Sequence, residues 1–163
     1  MEISKEKLER IYTKAKKAAR EDDLLIGESF AGKCGSISLY ALTHAKVVFG
    51  SDVQLVIGWC EVNGLPHFQF NDDDINKWID EKKKGECRKI YPMHCWLSLN
   101  DAPIDLTLAE TLYDNKENHG GDRLIPENIT YIGPEEAENL GIKYHRVRYA
   151  DEALFKKIGM LPG

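Results

Sequence analysis

The sequence predicts an α+β fold in one domain, built on a mostly antiparallel sheet. Three observations predict it. Two runs rich in β-branched and aromatic residues double back on tight turns, at Asn63-Gly64 and at Asn100-Asp101. Segments of helical spacing flank and separate those hairpins. The 163 residues show no repeat, low-complexity tract or linker, so one core has the length to form and nothing divides it.

The first element is a helix over residues 4 to 20. Leu8, Ile11, Tyr12, Ala15, Ala18 and Ala19 form one apolar stripe, and Ser4 is placed to cap it. A second helix begins near Cys34 and runs to Phe49. Its apolar residues, Val47 and Val48 among them, fall on nearly every side, which predicts burial over most of its surface. The hairpin around Asn63-Gly64 follows. "NDDDINKWIDEKKKG" then reads as a capped helix with Ile75, Trp78 and Ile79 inward and Gly85 as its stop. "MHCWLSLNDAPIDLTL" is the second hairpin, and residues 114 to 128 read as a polar loop. "ITYIG" reads as a strand, "PEEAENLG" as a short helix, "IKYHRVRYA" as a strand and "DEALFKKIG" as a closing helix. Alternation along "IKYHRVRYA" puts Tyr144, Arg146 and Arg148 on one face, an ordinary half-exposed strand.

The net charge of −5 argues against nucleic acid as a partner, because that binding runs on phosphate neutralisation by Lys and Arg. No apolar run is long enough to span a bilayer and the charged N-terminus lacks a signal-peptide core, so a cytoplasmic protein without a membrane partner is expected. The four cysteines, Cys34, Cys60, Cys87 and Cys95, are then expected as reduced thiols. No C-x-x-C pair is present, so neither a metal nor another cofactor is expected; a structural site on Cys87, Cys95 and a histidine is the weakest alternative.

The chemistry-bearing residues begin with Cys34. On its own it reads first as a small packed residue, since free cysteine is among the most buried types. A helix N-terminus changes its chemistry: the unpaired N–H groups there favour a thiolate and can hold the oxygen of a tetrahedral intermediate. Gly32, Gly35 and Ser36 leave room for a substrate to approach the sulfur. In the second hairpin, a turn at Asn100-Asp101 pairs Leu99 with Ala102, which sets Trp96 opposite Asp105 and His94 opposite Thr107. His94, Trp96, Asp105 and Thr107 then share one face, with His94 and Asp105 as diagonal neighbours. Cys95, Leu97, Leu99, Ile104 and Leu106 lie on the other, apolar face. A histidine oriented by a carboxylate is the base half of a triad.

"GKCGSISLYALTHA", "VQLVIGWCEV" and "HCWLSLNDAPIDLT", in that order, resemble the transglutaminase-like branch of the papain-like cysteine enzymes. That core has a cysteine at the start of a buried helix, a strand with a V-x-G-like segment, an H-x-W strand and a D-x-T strand. Cys34, Val56 to Gly58, His94 with Trp96, and Asp105 with Thr107 match it. The resemblance covers about residues 28 to 110, leaving about 115 to 163 as a C-terminal α/β extension of the same domain. It implies a Cys-bearing helix packed on the sheet, with helices at both termini. It also implies Cys34 as nucleophile, His94 as general acid/base and Asp105 as the group orienting His94. The reaction implied is acyl transfer from an amide or ester of a protein, peptide or small molecule through a thioester, of peptidase, amidase, deamidase or transglutaminase type.

One position departs from the family. Papain-type enzymes place an oxyanion-donating Gln six residues before the cysteine, where this chain has Glu28. An ionised Glu accepts hydrogen bonds and donates none. The hole then falls to the Cys34 N–H and a second group, with Gln54, Gln69 and the Trp96 ring N–H as candidates. Glu28 also supports the alternative reading, a non-catalytic binding module that keeps the fold.

Overall fold

In the computed structural model, residues 2–22, 33–86, 91–114 and 124–161 are described, and they form six helices and a five-stranded sheet. Helix α1 (Lys5–Glu21) starts where Ser4 Oγ accepts the Lys7 N–H at 3.3 Å, and it buries Leu8, Ile11, Ala15 and Ala19. Helix α2 (Cys34–Phe49) lies against it. Strand β1 (Val53–Val62) and short β2 (Leu65–His67) form the first hairpin, with Val62 opposite Leu65 across Asn63-Gly64. Helix α3 (Asp72–Lys83) opens on a capping box: Asn71 accepts the Asp74 N–H while Asp74 accepts that of Asn71. Strands β3 (His94–Leu99) and β4 (Ala102–Ile104) form the second hairpin, with Leu99 opposite Ala102 as the turn residues require. The rest are α4 (Leu108–Asp114), α5 (Pro134–Leu140), β5 (Ile142–Ala150) and α6 (Glu152–Ile158).

β1 is the central strand. β5 pairs with Leu55 to Val62 along one edge, so β3 (against Val53 to Gly58) and β2 (against Cys60 to Val62) share the other edge end to end. Every pairing is antiparallel. Alternation divides the sheet between two cores. Leu55, Ile57, Cys95, Leu97 and Leu99 face α1 and α2, while Cys60 and Val62 pack with Leu108, Leu112, Ile132 and Ala137 on the reverse. Gly58 has no room for a side chain: a Cβ would lie 2.1 Å from the His145 carbonyl oxygen and 2.6 Å from Trp96 Cη2.

Four expectations are corrected. α2 is not buried all round. It buries Gly35, Ile37, Ser38, Ala41, Ala45 and Phe49, but Val47 is 80% exposed, because α1 and the sheet cover only adjoining faces. The ladder of the second hairpin ends at Leu97 opposite Ile104, and the chain then turns into α4 instead of extending β4. Asp105 leaves β3 and exchanges two 2.8 Å backbone hydrogen bonds with Ile132. That bridge is the whole of the strand expected in "ITYIG". Finally, Tyr144, Arg146 and Arg148 do not share a face. The register shifts between Ile57 and Gly58, with Arg148 opposite Ile57 and Arg146 opposite Gly58, so Val147 is an extra residue and the alternation breaks there. Arg146 reaches Asp101 and Arg148 reaches Asp72. Of the loop expected over 114 to 128, Asp114 is the last residue of α4, residues 115 to 123 lie outside the described residues, and 124 to 128 are irregular.

Candidate active site

Three segments distant in sequence meet at the start of β3. His94, its first residue, is 1% exposed, and its Nε2 lies 2.6 Å from Asp105 Oδ2. Its ring stacks on Phe68 (centroids 5.5 Å apart) and on Trp96 (6.0 Å), contacts that restrict the imidazole plane. With Nε2 held by Asp105, Nδ1 is the nitrogen left for a second partner, and Cys34 at the start of α2 is near enough to shift the His94 pKa.

Asp105 is buried and accepts from four groups. Oδ1 takes the N–H of Thr107 at 3.0 Å and of Leu108 at 3.1 Å, which turns the chain into α4. Oδ2 takes the Tyr144 hydroxyl at 2.9 Å as well as His94. Burial alone would raise its pKa, but the His94 charge, the backbone N–H groups and Tyr144 together hold the carboxyl below its usual range. Burial would likewise lower His94; the Asp105 charge and hydrogen bond, with the Cys34 thiolate, outweigh that and raise it to about 10. Cys34 is partly exposed. A hydrogen bond from the Cys95 side chain, then the His94 hydrogen bond and charge, overcome its burial and bring the thiol well below 9.0. Both shifts run in the direction that favours a thiolate beside an imidazolium.

Helix α2 presents that sulfur from its first turn. Lys33, at the cap position, makes no side-chain cap bond, and no acidic residue occupies the first turn. The remaining candidates are placed differently. Gly35 is buried toward the first core: a Cβ there would lie 2.6 Å from Met160 Cε and 3.8 Å from Cys95 Sγ, so its smallness admits Met160, just past α6, and not a substrate. Trp96 is a wall of the site, packed against both His94 and Tyr144. Gln54 is exposed and pairs with Ser98, four residues along β1 from the position opposite His94. That is about 13 Å at strand rise, so it does not reach the site. Gln69 is exposed. Glu28, Gly32 and Cys87 lie outside the described residues.

Sequence reasoning missed Phe68 and Tyr144 as site residues. Tyr144 stands on the strand read as ordinary, and only the pairing of β5 with β1 brings it to Asp105. Phe68 follows the first hairpin at φ +62°, a conformation no local pattern announces. A groove of about 410 Å³ lies over the sheet, lined by Val56, Trp96, Ser98, Tyr144, His145 and Arg146 among others; Trp96 and Tyr144 are its residues that touch His94 and Asp105. Among the described residues no helix is long and apolar enough to cross a membrane. No family model, no curated protein and no solved structure matches the chain.

Proposed function

We propose that the protein is a cysteine-dependent acyl-transfer enzyme with a transglutaminase-like, papain-like core. One observation carries the reading: a buried His94 held by Asp105 at 2.6 Å on one nitrogen, beside a Cys34 thiol that Cys95 and His94 draw well below its ordinary value. The Cys34 thiolate attacks the carbonyl carbon of an amide or ester, and its own backbone N–H, at the open end of α2, faces the oxygen that becomes negative. His94 gives its proton to the departing amine or alcohol, leaving a thioester on Cys34. It then takes a proton from the incoming water or amine, and collapse of the second tetrahedral intermediate restores thiolate and imidazolium. Asp105 fixes the ring throughout and stays ionised. The groove lined by Trp96 and Tyr144, which flank the His94–Asp105 pair, offers an extended substrate a surface.

p-Nitrophenyl acetate tests this as a generic acyl donor. The wild type is expected to release nitrophenol in a burst followed by turnover, with an acetyl group on Cys34 by peptide mass mapping. His94→Ala loses roughly 10²-fold or more of that rate. An unmodified Cys34, or equal acylation in His94→Ala, sinks the catalytic reading and leaves the binding module.

A further inference from the structure

The reaction just proposed gives Tyr144 no task, although its hydroxyl sits on the group that holds the base. Tyr144 Oη lies 2.9 Å from Asp105 Oδ2, the same oxygen that His94 Nε2 meets at 2.6 Å. We propose that Tyr144 is a positioning residue for His94: by sharing that oxygen it limits the pull of the carboxylate on the imidazolium proton, and so keeps His94 a stronger acid than Asp105 alone would leave it. The inference rests on the reading of His94 as the group that gives and takes the proton.

Three features of the packing support it. Asp105 divides its donors by kind: Oδ1 takes the backbone N–H groups of Thr107 at 3.0 Å and Leu108 at 3.1 Å, while the two side-chain donors meet on Oδ2. Tyr144 is also held in place. It stands opposite Cys60 on the central strand, packs against the second core, and sets its ring 5.0 Å from that of Trp96, which lies 6.0 Å from the His94 ring. Finally, Tyr144 lines the groove over the sheet, so one side chain is both a wall of that groove and a donor to the carboxylate.

The hydrogen bond runs from tyrosine to carboxylate. An ionised carboxylate only accepts, and burial, then the Asp105 charge, push the Tyr144 hydroxyl well up, so it keeps its proton. A donor on Oδ2 lowers the proton affinity of the carboxylate, and a carboxylate with less affinity for protons draws less on the one at Nε2. The other titratable groups nearby are placed differently. Cys34 lies at the start of α2, and Cys95 is buried beside His94 in the first core. Cys60 keeps its proton through burial, His67 tilts against Phe68 at 6.3 Å, and Arg146 is drawn to Asp101 at 3.0 Å.

The His94 titration midpoint, followed by ¹⁵N NMR of its ring, tests this without relying on turnover. Tyr144→Phe keeps the ring and removes the donor, and is expected to raise the midpoint by about one pH unit. Were Tyr144 only a prop for Asp105, its loss would let the carboxylate move off the imidazole and the midpoint would fall. An unchanged or lowered midpoint therefore overturns the proposal. Should Tyr144→Phe not fold, a ring-fluorinated tyrosine at the same position keeps the shape and strengthens the donor. It is expected to lower the midpoint, and a midpoint that stays or rises overturns the proposal. Acylation by p-nitrophenyl acetate reports separately: a Cys34 that is never acylated, with the His94 shifts as expected, defeats the proposed function alone.

Discussion

Two histidine–carboxylate pairs stand on neighbouring strands of one sheet, and they have little else in common. His94 and Asp105 meet at 2.6 Å with side chains 1% and 0% exposed; His145 and Glu61 meet at 3.1 Å with side chains 38% and 28% exposed. Each histidine stacks on a tryptophan, His94 on Trp96 and His145 on Trp59. The contact itself therefore does not distinguish them. What does is the carboxylate's surroundings: Asp105 also takes two backbone N–H groups and the Tyr144 hydroxyl, all away from water. A buried charge so fully paired can hold a neighbouring imidazolium, while a wet pair is screened and contributes little.

The comparison can be broken by mutation, and the largest effect belongs to Asp105→Ala. It strands an imidazolium and uncaps α4, and should cost about 3–5 kcal/mol in urea unfolding. Glu61→Ala measured alongside should cost far less, and equal costs would abolish the distinction. Gly58→Ala disturbs both pairs at once, since the new methyl meets the His145 carbonyl on one side and Trp96 on the other. Because one of those obstacles is backbone, we expect a loss of about 3 kcal/mol. Tyr144→Phe removes one hydrogen bond from a buried carboxylate and should cost about 2 kcal/mol by the same assay.

The next effect is a pH dependence. His94 is raised from 6.5 to about 10, so its contribution to stability is complete below 6.5 and is lost as pH rises through about 10. Cys34 is lowered well below 9.0, so its contribution is present above 9.0 and is lost as pH falls through its depressed value. Over the neutral range up to 9.0, the proton that His94 keeps offsets the proton that Cys34 has given up. The pair's contribution is flat there. Cys34→Ala leaves His94 alone, and thermal or urea melts should then show stability falling from pH 6.5 upward, by up to about 1.4 kcal/mol per pH unit. A flat profile in that variant would contradict the thiolate–imidazolium pair. The smallest effect is His145→Ala, expected to lower stability by less than about 1 kcal/mol in the same melts.

Much of this was legible from local chemistry. Ser4, the Asn71/Asp74 capping box, Asn63-Gly64 and Asn100-Asp101 each act within a few residues, and each works where the sequence places it. The hairpin parity brought His94 and Asp105 to one another for the same reason, although the ladder ends earlier than parity alone suggests. What could not be read depends on contacts across the sheet. The turn into α4 is made by Asp105's own side chain, whose other oxygen is already committed to His94 and Tyr144. The bulge opposite Ile57 and Gly58 sends Arg148 away from Tyr144 and Arg146, and nothing in "KYHRVRY" marks it. Cys95 packs in the first core with Leu97, Leu99, Ile104 and Leu106, on the apolar face that the hairpin parity assigns it.

The central claim is that His94 is an imidazolium held between the Asp105 carboxylate and the Cys34 thiolate. ¹⁵N NMR of the His94 ring across a pH series tests it most directly. Both ring nitrogens should be protonated at neutral pH, with titration near the value of about 10 and a fall in that midpoint in Cys34→Ala. A ring already neutral at pH 7, or a midpoint that Cys34→Ala leaves in place, would contradict the account.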